Sequence, residues 1–560
     1  MGAAMDRNPP DLPFSQAGAR RLPVPALLIA FCLWVAMAAL VGAVAAVHFG
    51  SDADWDLRNY HLYNGFALLD GRFRSDLAPA QLQSYLAPGL DLIYDGLQTL
   101  LNRAPVVLAA TLALPQGVAW FLTWCVARRM LIDTTPARDW TAALLVAIGA
   151  TGVAGISTLS LAMSEMTASA FILGSLLLLL RAGSGAARNL AWAGVLAGIS
   201  VGLKLTMSPY AIGLAGAAAV SVPSRPIRSV GWFGLGGGLG AMLTGGWWWA
   251  WLWMHYHNPV FPYFNEIFHS PWVLPLATTD NRYLPRTWLL AMAYPLAWGL
   301  EASRYVGEIT MRDPRIALGG VAVLVILGHS LWRRRMLNRP AVVLLVVWVT
   351  SYWLWEARFS IYRYLATLEL LTGPLIGVAL APLLARAKPR WSIPSLGAAL
   401  IGLIAVSIYP NWGRTKLGPQ AVAVYPPAFQ PGSLVVLLEP SPMAYVAEFV
   451  PVSVRFVGAN NNLIHPGVPG RLEREVSTAI RDQRGPLWGL EEDRLAANRH
   501  AANATLRAYG LARAPGCVRV RSNLDDDAIL ACPLIRTRAP LVRRTGPSPP
   551  APADAASGRR

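Results

Sequence analysis

The sequence predicts an all-α polytopic membrane protein of about eleven transmembrane helices, with a small α/β domain at its C-terminal side. Three observations predict it. The 560 residues are 54% hydrophobic and only 14% charged, where soluble domains carry nearer a quarter charged residues. Apolar runs of roughly 16–25 residues recur along most of the chain. Arginine clusters separate those runs in a regular order. The net charge of +17 does not point to nucleic acid. The excess sits in short loops and in the C-terminal tail, with no basic recognition helix, which is how topology determinants are distributed.

The apolar spans fall at roughly 23–47, 105–127, 140–160, 165–181, 189–205, 207–222, 230–254, 315–332, 340–357, 364–385 and 393–410. Those at 189–205 and 207–222 are short and glycine-rich and read as broken helices. Span 23–47 is longer than a signal-peptide core and is read as a retained helix. Arg20 and Arg21 precede the first span; Arg128, Arg129 and Arg138 follow the second; Arg181 and Arg188 follow the fourth. Arg225 and Arg228 follow the sixth, Arg333, Arg334, Arg335 and Arg339 the eighth, and Arg386, Lys388 and Arg390 the tenth. With eleven spans every cluster lies on one side, the cytoplasmic side by the positive-inside rule. The N-terminal segment 1–22 is then inside. The transmembrane domain covers 23–410, with long outer loops at 48–104 and 255–314. An extracytoplasmic domain covers 411–537, and a Pro/Ala/Arg tail at 538–560 is expected to be disordered.

The outer domain contains strand-like "GSLVVLLE" and "VSVRFVGA", then a charged, helix-like segment near 471–509. Cys517 and Cys532 flank a strand–turn–strand pattern. They can face each other across a hairpin in an oxidising compartment. Cys32 and Cys125 lie in apolar runs and read as inert.

The first outer loop holds the strongest chemical signal, "HFGSDADWDLRNYHLYNGFALLDGR". Asp52, Asp54 and Asp56 stand where the first span ends. One Asp is explained as a helix N-cap; three at alternate positions beside a membrane surface, with Arg58 and His61 close by, are not. Leu62, Phe66 and Leu69 form one face of a following helix, which Gly71 stops. This helix is expected to lie in the membrane interface. A second helix, with Leu90, Ile93, Tyr94, Leu97 and Leu101 in a stripe, should lie there too. Its Asp91 and Asp95 are expected to be solvated.

Further along, Lys204 in "GLKLTMSPY" lies between two short spans. At a helix centre it would cost about 2.5–3.5 kcal/mol; near the outer end its ammonium would meet a lipid phosphate. Gly194, Gly198 and Gly202 just before it read as close helix packing. "GLGGGLGAMLTGG" superficially contains a dinucleotide fingerprint, but no strand precedes it and it lies in a span. His255, His257 and His269 offer metal ligands without a supporting second cluster. Arg282, Arg286, Arg312 and Arg315 lie in an outer loop, against the usual sign preference. Arg358 and Arg363 in "EARFSIYRYLATLELL" read either as phosphate ligands or as snorkelling side chains paired with Glu356 and Glu369.

The segments "DLRNYHLYNGFALLDGR", "GLKLT", "HNPVFPYFN" and "IYRYLATLELL" resemble segments of bacterial members of the GT-C superfamily of membrane glycosyltransferases. That superfamily includes the protein O-mannosyltransferases and the lipid A aminoarabinose transferases. The resemblance covers about residues 20–410. It implies a polyprenyl-phosphate sugar as donor, presented in the outer leaflet, and a hexosyl or pentosyl transfer to a glycan, lipid or protein acceptor. A first-loop carboxylate would act as general base, or bind the acceptor or a divalent metal. The acidic motif falls on Asp54 and Asp56. The order Asp-Leu-Arg-Asn-Tyr is similar to the family's Asp-Glu-x-x-Tyr run and favours Asp56, although Leu57 replaces the second acid. Arg58, His61, Lys204, Arg358 and Arg363 become the substrate-binding set; no metal ligands are assigned. The implied location is the bacterial cytoplasmic membrane. The competing readings are a transporter or flippase for lipid-linked saccharides, an oligosaccharide polymerase or ligase, and a non-catalytic envelope assembly protein.

Overall fold

The computed structural model describes residues 23–131, 137–181, 186–276, 280–301, 308–334, 336–386 and 388–537. The expected N-terminal segment and C-terminal tail lie outside them. Among the described residues, seven helices are long and apolar enough to cross a membrane: Val24–Phe49, Pro105–Met130, Ala186–Leu203, Arg315–Arg333, Arg339–Arg358, Tyr362–Leu384 and Pro389–Val406. Glu165–Leu180 and Leu205–Ser221 are apolar but shorter. The chain is a multi-pass membrane protein. Two other expected spans are helical but interrupted. Near 140–160, a helix Arg138–Ala150 gives way to a short one at Val153–Ser157. Near 230–254, Pro226–Ala241 passes through a π turn, Met242–Gly246, into Trp247–Tyr256.

Glycine lets two helices meet backbone to backbone. A Cβ on Gly194 or Gly198 would fall 2.0 Å from the carbonyl oxygen of Phe233 or Gly237. The partner face is built from the fingerprint look-alike: a Cβ on Gly236 would fall 2.0 Å from Ala191 O. Backbone meets backbone here, as small residues allow in membranes.

The first outer loop departs from expectation. Leu57–His61 is a π turn, closed by Leu62 N donating to Leu57 O, and an α-helix follows at Leu62–Leu69. This helix does not lie in the interface. Leu62, Tyr63, Asn64, Gly65, Phe66 and Ala67 are all buried, between the helix Gly89–Leu101 and the C-terminal region. Its polar side is covered because its polar groups find partners there. Asn64 Nδ2 donates to Gln83 O at 3.0 Å, and Tyr63 Oη to Asp76 Oδ2 at 3.1 Å. The second helix turns its Asp91, Tyr94, Asp95 and Gln98 inward and leaves Ile93 and Leu100 exposed. Asp91 and Asp95 are therefore buried, not solvated. Gly65 allows this, since a Cβ there would lie 2.7 Å from Asp91 O.

Eight strands are numbered in chain order: β1 (Val424–Tyr425), β2 (Leu434–Leu437), β3 (Arg455–Gly458), β4 (Leu487–Glu492), β5 (Leu511–Arg513), β6 (Val518–Arg519), β7 (Arg521–Ser522) and β8 (Ile529–Arg536). The main sheet runs β3-β2-β4-β8-β5, with β6 also on β8. β2 is parallel to β3 and β4, and β8 is antiparallel to β4 and β5. The charged segment near 471–509 is two helices, Arg471–Asp482 and Ala496–Ala508, with β4 between them. Gly485 and Pro486 break the helical pattern, and the apolar start of β4 pairs with β2. Cys517 and Cys532 are disulfide-bonded.

The outer loop and this sheet are joined by an ion pair. Arg72 Nε donates to Asp76 Oδ2 at 2.8 Å and Nη2 to Asp76 Oδ1 at 3.1 Å. Arg72 also donates to Val452 O and Val454 O, at 2.9 and 2.6 Å. Asp76 Oδ1 accepts from Phe456 N at 2.9 Å. Leu77 then pairs with Val457 as a parallel bridge on the edge of β3.

Candidate active site

The three aspartates follow the first span and are fixed in three ways. Asp52 accepts from Ala162 N at 2.7 Å and from Asp54 N at 3.1 Å, so both its oxygens are committed to backbone. Asp54 Oδ1 accepts from Leu57 N at 2.6 Å, the cap expected of one Asp. Its Oδ2 is buried with no hydrogen-bond partner among the described residues. Asp56 Oδ2 is ion-paired with Arg363 Nη1. The motif is also held from behind: Ser51 and Thr415 exchange both backbone hydrogen bonds, at 2.9 and 3.0 Å.

Arg363 comes from the short 3-10 turn Tyr362–Leu365 that opens a long apolar helix. Besides Asp56 it faces two acids that the sequence reading passed over. Its Nε lies 3.2 Å from Glu308 Oε2 and 3.8 Å from Glu165 Oε1. Lys204 sits where two helices break, and its Nζ donates to Glu165 Oε1 at 2.8 Å and Ser164 Oγ at 3.1 Å. Tyr364 lies beside both cations, 5.9 Å from Lys204 Nζ and 5.4 Å from the Arg363 guanidinium carbon, measured to its ring centre. Both are within reach of its π face. So Asp56, Glu165, Lys204 and Arg363 converge from four separate stretches of chain.

The carboxylates titrate apart. Burial, reinforced by the neighbouring Asp52 and Asp56 charges, pushes Asp54 well above the usual carboxylate range. Burial alone would raise Asp56 too, but Arg363, with His61 and Lys204, holds it below that range. Two acids with separated tendencies on one short segment are an acid–base arrangement. Glu165 Oε2 and His61 Nε2 are likewise buried without a hydrogen-bond partner among the described residues. Buried unpartnered polar atoms also occur elsewhere among the described residues, but here three of them belong to titratable groups near one ion pair.

His61 is buried, and its Nδ1 lies 2.6 Å from Asp91 Oδ1. Arg58 turns elsewhere: its Nε donates to Asp54 O at 3.4 Å, and its charge acts on Asp525 in the C-terminal region. Arg358 is not brought to the cluster. It is exposed and lies over Phe264, 5.0 Å from the ring centre. The pairings considered for the two arginines do not form. Glu356 accepts from Tyr352 Oη, and Glu369 from the amides of Ala154 and Gly155.

Of the outer-loop arginines, exposed Arg282 pairs with Asp280 and Arg315 with fully buried Asp313; Arg312 donates to Val406 O. His255 stacks on Trp251. Among the described residues no group of three or more His, Cys, Asp or Glu side chains is placed to hold a metal ion. The acidic motif itself does not fit one, because Asp52 is spent on amides and Asp56 on Arg363.

No family model matches the chain, and no curated protein does. Solved structures do. The chain is similar to ArnT from Cupriavidus metallidurans, solved bound to undecaprenyl phosphate: 12% identity and a TM-score of 0.49, over 91% of this chain and 98% of that one. It is also similar to the oligosaccharyltransferase of Archaeoglobus fulgidus in the apo form, at 11% identity and a TM-score of 0.42, over 86% and 72% of the two chains. The same organism's oligosaccharyltransferase AglB, with an inhibitory peptide and a dolichol-phosphate, gives 12% and 0.40 over 85% and 71%. With TM-scores below 0.5, these likenesses leave the activity to be argued from the chain's own residues.

Proposed function

We propose that the protein is a membrane glycosyltransferase that moves a sugar from a polyprenyl-phosphate donor to an extracytoplasmic glycan, lipid or protein. The observation that carries this reading is the meeting of Asp56 with Arg363 and of Lys204 with Glu165 at the ends of apolar helices. A transfer from a lipid phosphate needs cations where the leaving phosphate gathers charge, and a carboxylate on the acceptor side. Arg363 offers a planar fork suited to phosphate and Lys204 a point charge. Glu165 lies between the two cations, 2.8 Å from Lys204 Nζ and 3.8 Å from Arg363 Nε. The first-loop carboxylate, Asp56 with Asp54 beside it, receives the acceptor proton. Arg58 and Arg358 have lesser roles in this reading, because neither reaches the ion pair.

In this reading the protein lies in a cytoplasmic membrane with its N-terminus inside and residues 411–537 outside, which the arginine clusters support by the positive-inside rule. The disulfide suits that outer compartment.

The test is an assay of the purified protein with a panel of polyprenyl-phosphate sugars and candidate acceptors, following polyprenyl phosphate by mass spectrometry. Wild type should release it and Asp56→Asn should not, while the variant still inserts in membranes. Full release by Asp56→Asn removes that residue as the acid. Equilibration of an intact lipid-linked saccharide across vesicle membranes without release would favour a flippase.

A further inference from the structure

The His61–Asp91 pair has no part in the reading above, which explains the site with aspartates and cations alone. The pair is built, not incidental. His61 Nδ1 lies 2.6 Å from Asp91 Oδ1, and both side chains are buried. Asp91 Oδ2 accepts in turn from Asn64 Nδ2 at 3.3 Å. A carboxylate on Nδ1 fixes the proton there and leaves Nε2 with the lone pair. Nε2 is the atom that is buried with no hydrogen-bond partner among the described residues. An imidazole oriented by a carboxylate on one nitrogen, with the other nitrogen free, is the arrangement of a general base.

Local backbone geometry aims it at the acidic motif. The turn Leu57–His61 is π-helical, so residues five apart come above one another. Asp56 and His61 are five apart. The imidazole lies within electrostatic reach of both Asp56 and Asp52. The opposite wall is supplied by Gly65, whose missing side chain lets the Asp91 backbone approach.

We propose that His61, held by Asp91, is the terminal acceptor of the proton released in the transfer; this rests on the transferase reading above. The acceptor oxygen's electron pair forms the new bond to the anomeric carbon. The bond from that carbon to the phosphate oxygen breaks, and its electron pair leaves with the phosphate. The hydroxyl proton passes first to the first-loop carboxylate and then to Nε2. Asp56 does not keep the proton, because Arg363 favours its ionised form. The resulting imidazolium lies between the Asp91 and Asp56 charges. The proton leaves to solvent before the next turnover, so His61 is catalytic and Asp91 is a positioning residue.

The experiment uses the full-length protein with the donor and acceptor that support wild-type release. His61→Gly should lower kcat roughly 10²–10⁴-fold. Added imidazole should restore it, and substituted imidazoles should restore it in order of their basicity. His61→Gln, which can still donate to Asp91 but cannot carry the proton, should be equally slow while remaining folded. Asp91→Asn should lower kcat with little change in KM, and Asp91→Glu should recover part of it. Retention of more than half of the wild-type rate by His61→Gln overturns the proposal, as does restoration of His61→Gly that ignores basicity. Absence of release by wild type itself would count against the transferase reading, which keeps the two failures apart.

Discussion

Two buried arginine–aspartate pairs involve the first outer loop, and they are finished differently. Around Arg72 and Asp76, the three guanidinium nitrogens donate and both carboxylate oxygens accept, to each other and to backbone of the C-terminal region. Around Arg363 and Asp56 the neighbouring polar atoms are left over. Asp54 Oδ2, Glu165 Oε2 and His61 Nε2 have no hydrogen-bond partner among the described residues, and Arg363 Nε is near Glu308 without being aligned to it. Both pairs are buried. Burial and charge therefore do not distinguish the two pairs; completion of hydrogen bonding does.

The sharpest way to break this comparison is to neutralise each pair in turn. Asp56→Asn should reduce polyprenyl phosphate release by about 100-fold or more, with a small change in melting temperature. Arg363 keeps Glu165 and Glu308 as counter-charges, so no lone cation is created. Arg72→Met should do the reverse. It strands Asp76 inside the protein and should cost roughly 3–5 kcal/mol of stability, read as a lower denaturation midpoint and faster proteolysis between residues 72 and 454. Adding Asp76→Leu should restore much of that loss, because a buried pair can be replaced by apolar contact. No paired apolar replacement should restore release at Asp56 and Arg363.

A smaller effect separates the two acids of the motif. Asp54 has a raised pKa in the folded protein, so its stabilising contribution is present below the unfolded value and fades as pH rises through the folded one. Asp56 has a lowered pKa, so its contribution is present above the unfolded value and is lost as pH falls through the folded one. Melting temperature against pH should show the decline with rising pH reduced in Asp54→Asn, and reduced less in Asp56→Asn, which removes only one of the charges that raise Asp54. The smallest expected effect is at Arg358. Exposed and stacked on Phe264, it should change release less than about twofold when replaced by alanine, with stability within about 0.5 kcal/mol.

The sequence shows one half of the candidate site and hides the other. Asp54, Asp56, Lys204 and Arg363 are visible because a charge at the edge of an apolar run is costly and asks for a reason. Glu165 also begins an apolar run, but an acid in the first turn of a helix is already explained by the helix dipole. Glu308 sits among ordinary loop residues. Asp91 is obscured by Asp95, since an i, i+4 pair of like charges reads as a solvated face. What reverses that reading is Gly65, a single missing side chain on another helix. The same limit applies to the fold. Periodicity finds the helix after the acidic motif, but not the sheet region that covers it, whose residues lie more than 350 positions away. The π turn leaves no mark in periodicity, since five residues are too few to show a repeat.

The bridge from Leu77 to Val457 ties residues made early to residues made late. Arg72 and Val454 are separated by 382 positions. At typical synthesis rates of about 5–20 residues per second, the first outer loop waits roughly 20–80 s for its cover. During that interval the later helices are made, while the helix after the acidic motif has no cover and the Arg72–Asp76 pair no carbonyls to hold. The packing of the first outer loop is thus complete only once residues 452–457 have been made. A chain that ends before β3 would lack the carbonyls, the amide and the strand edge that hold Arg72, Asp76 and Leu77.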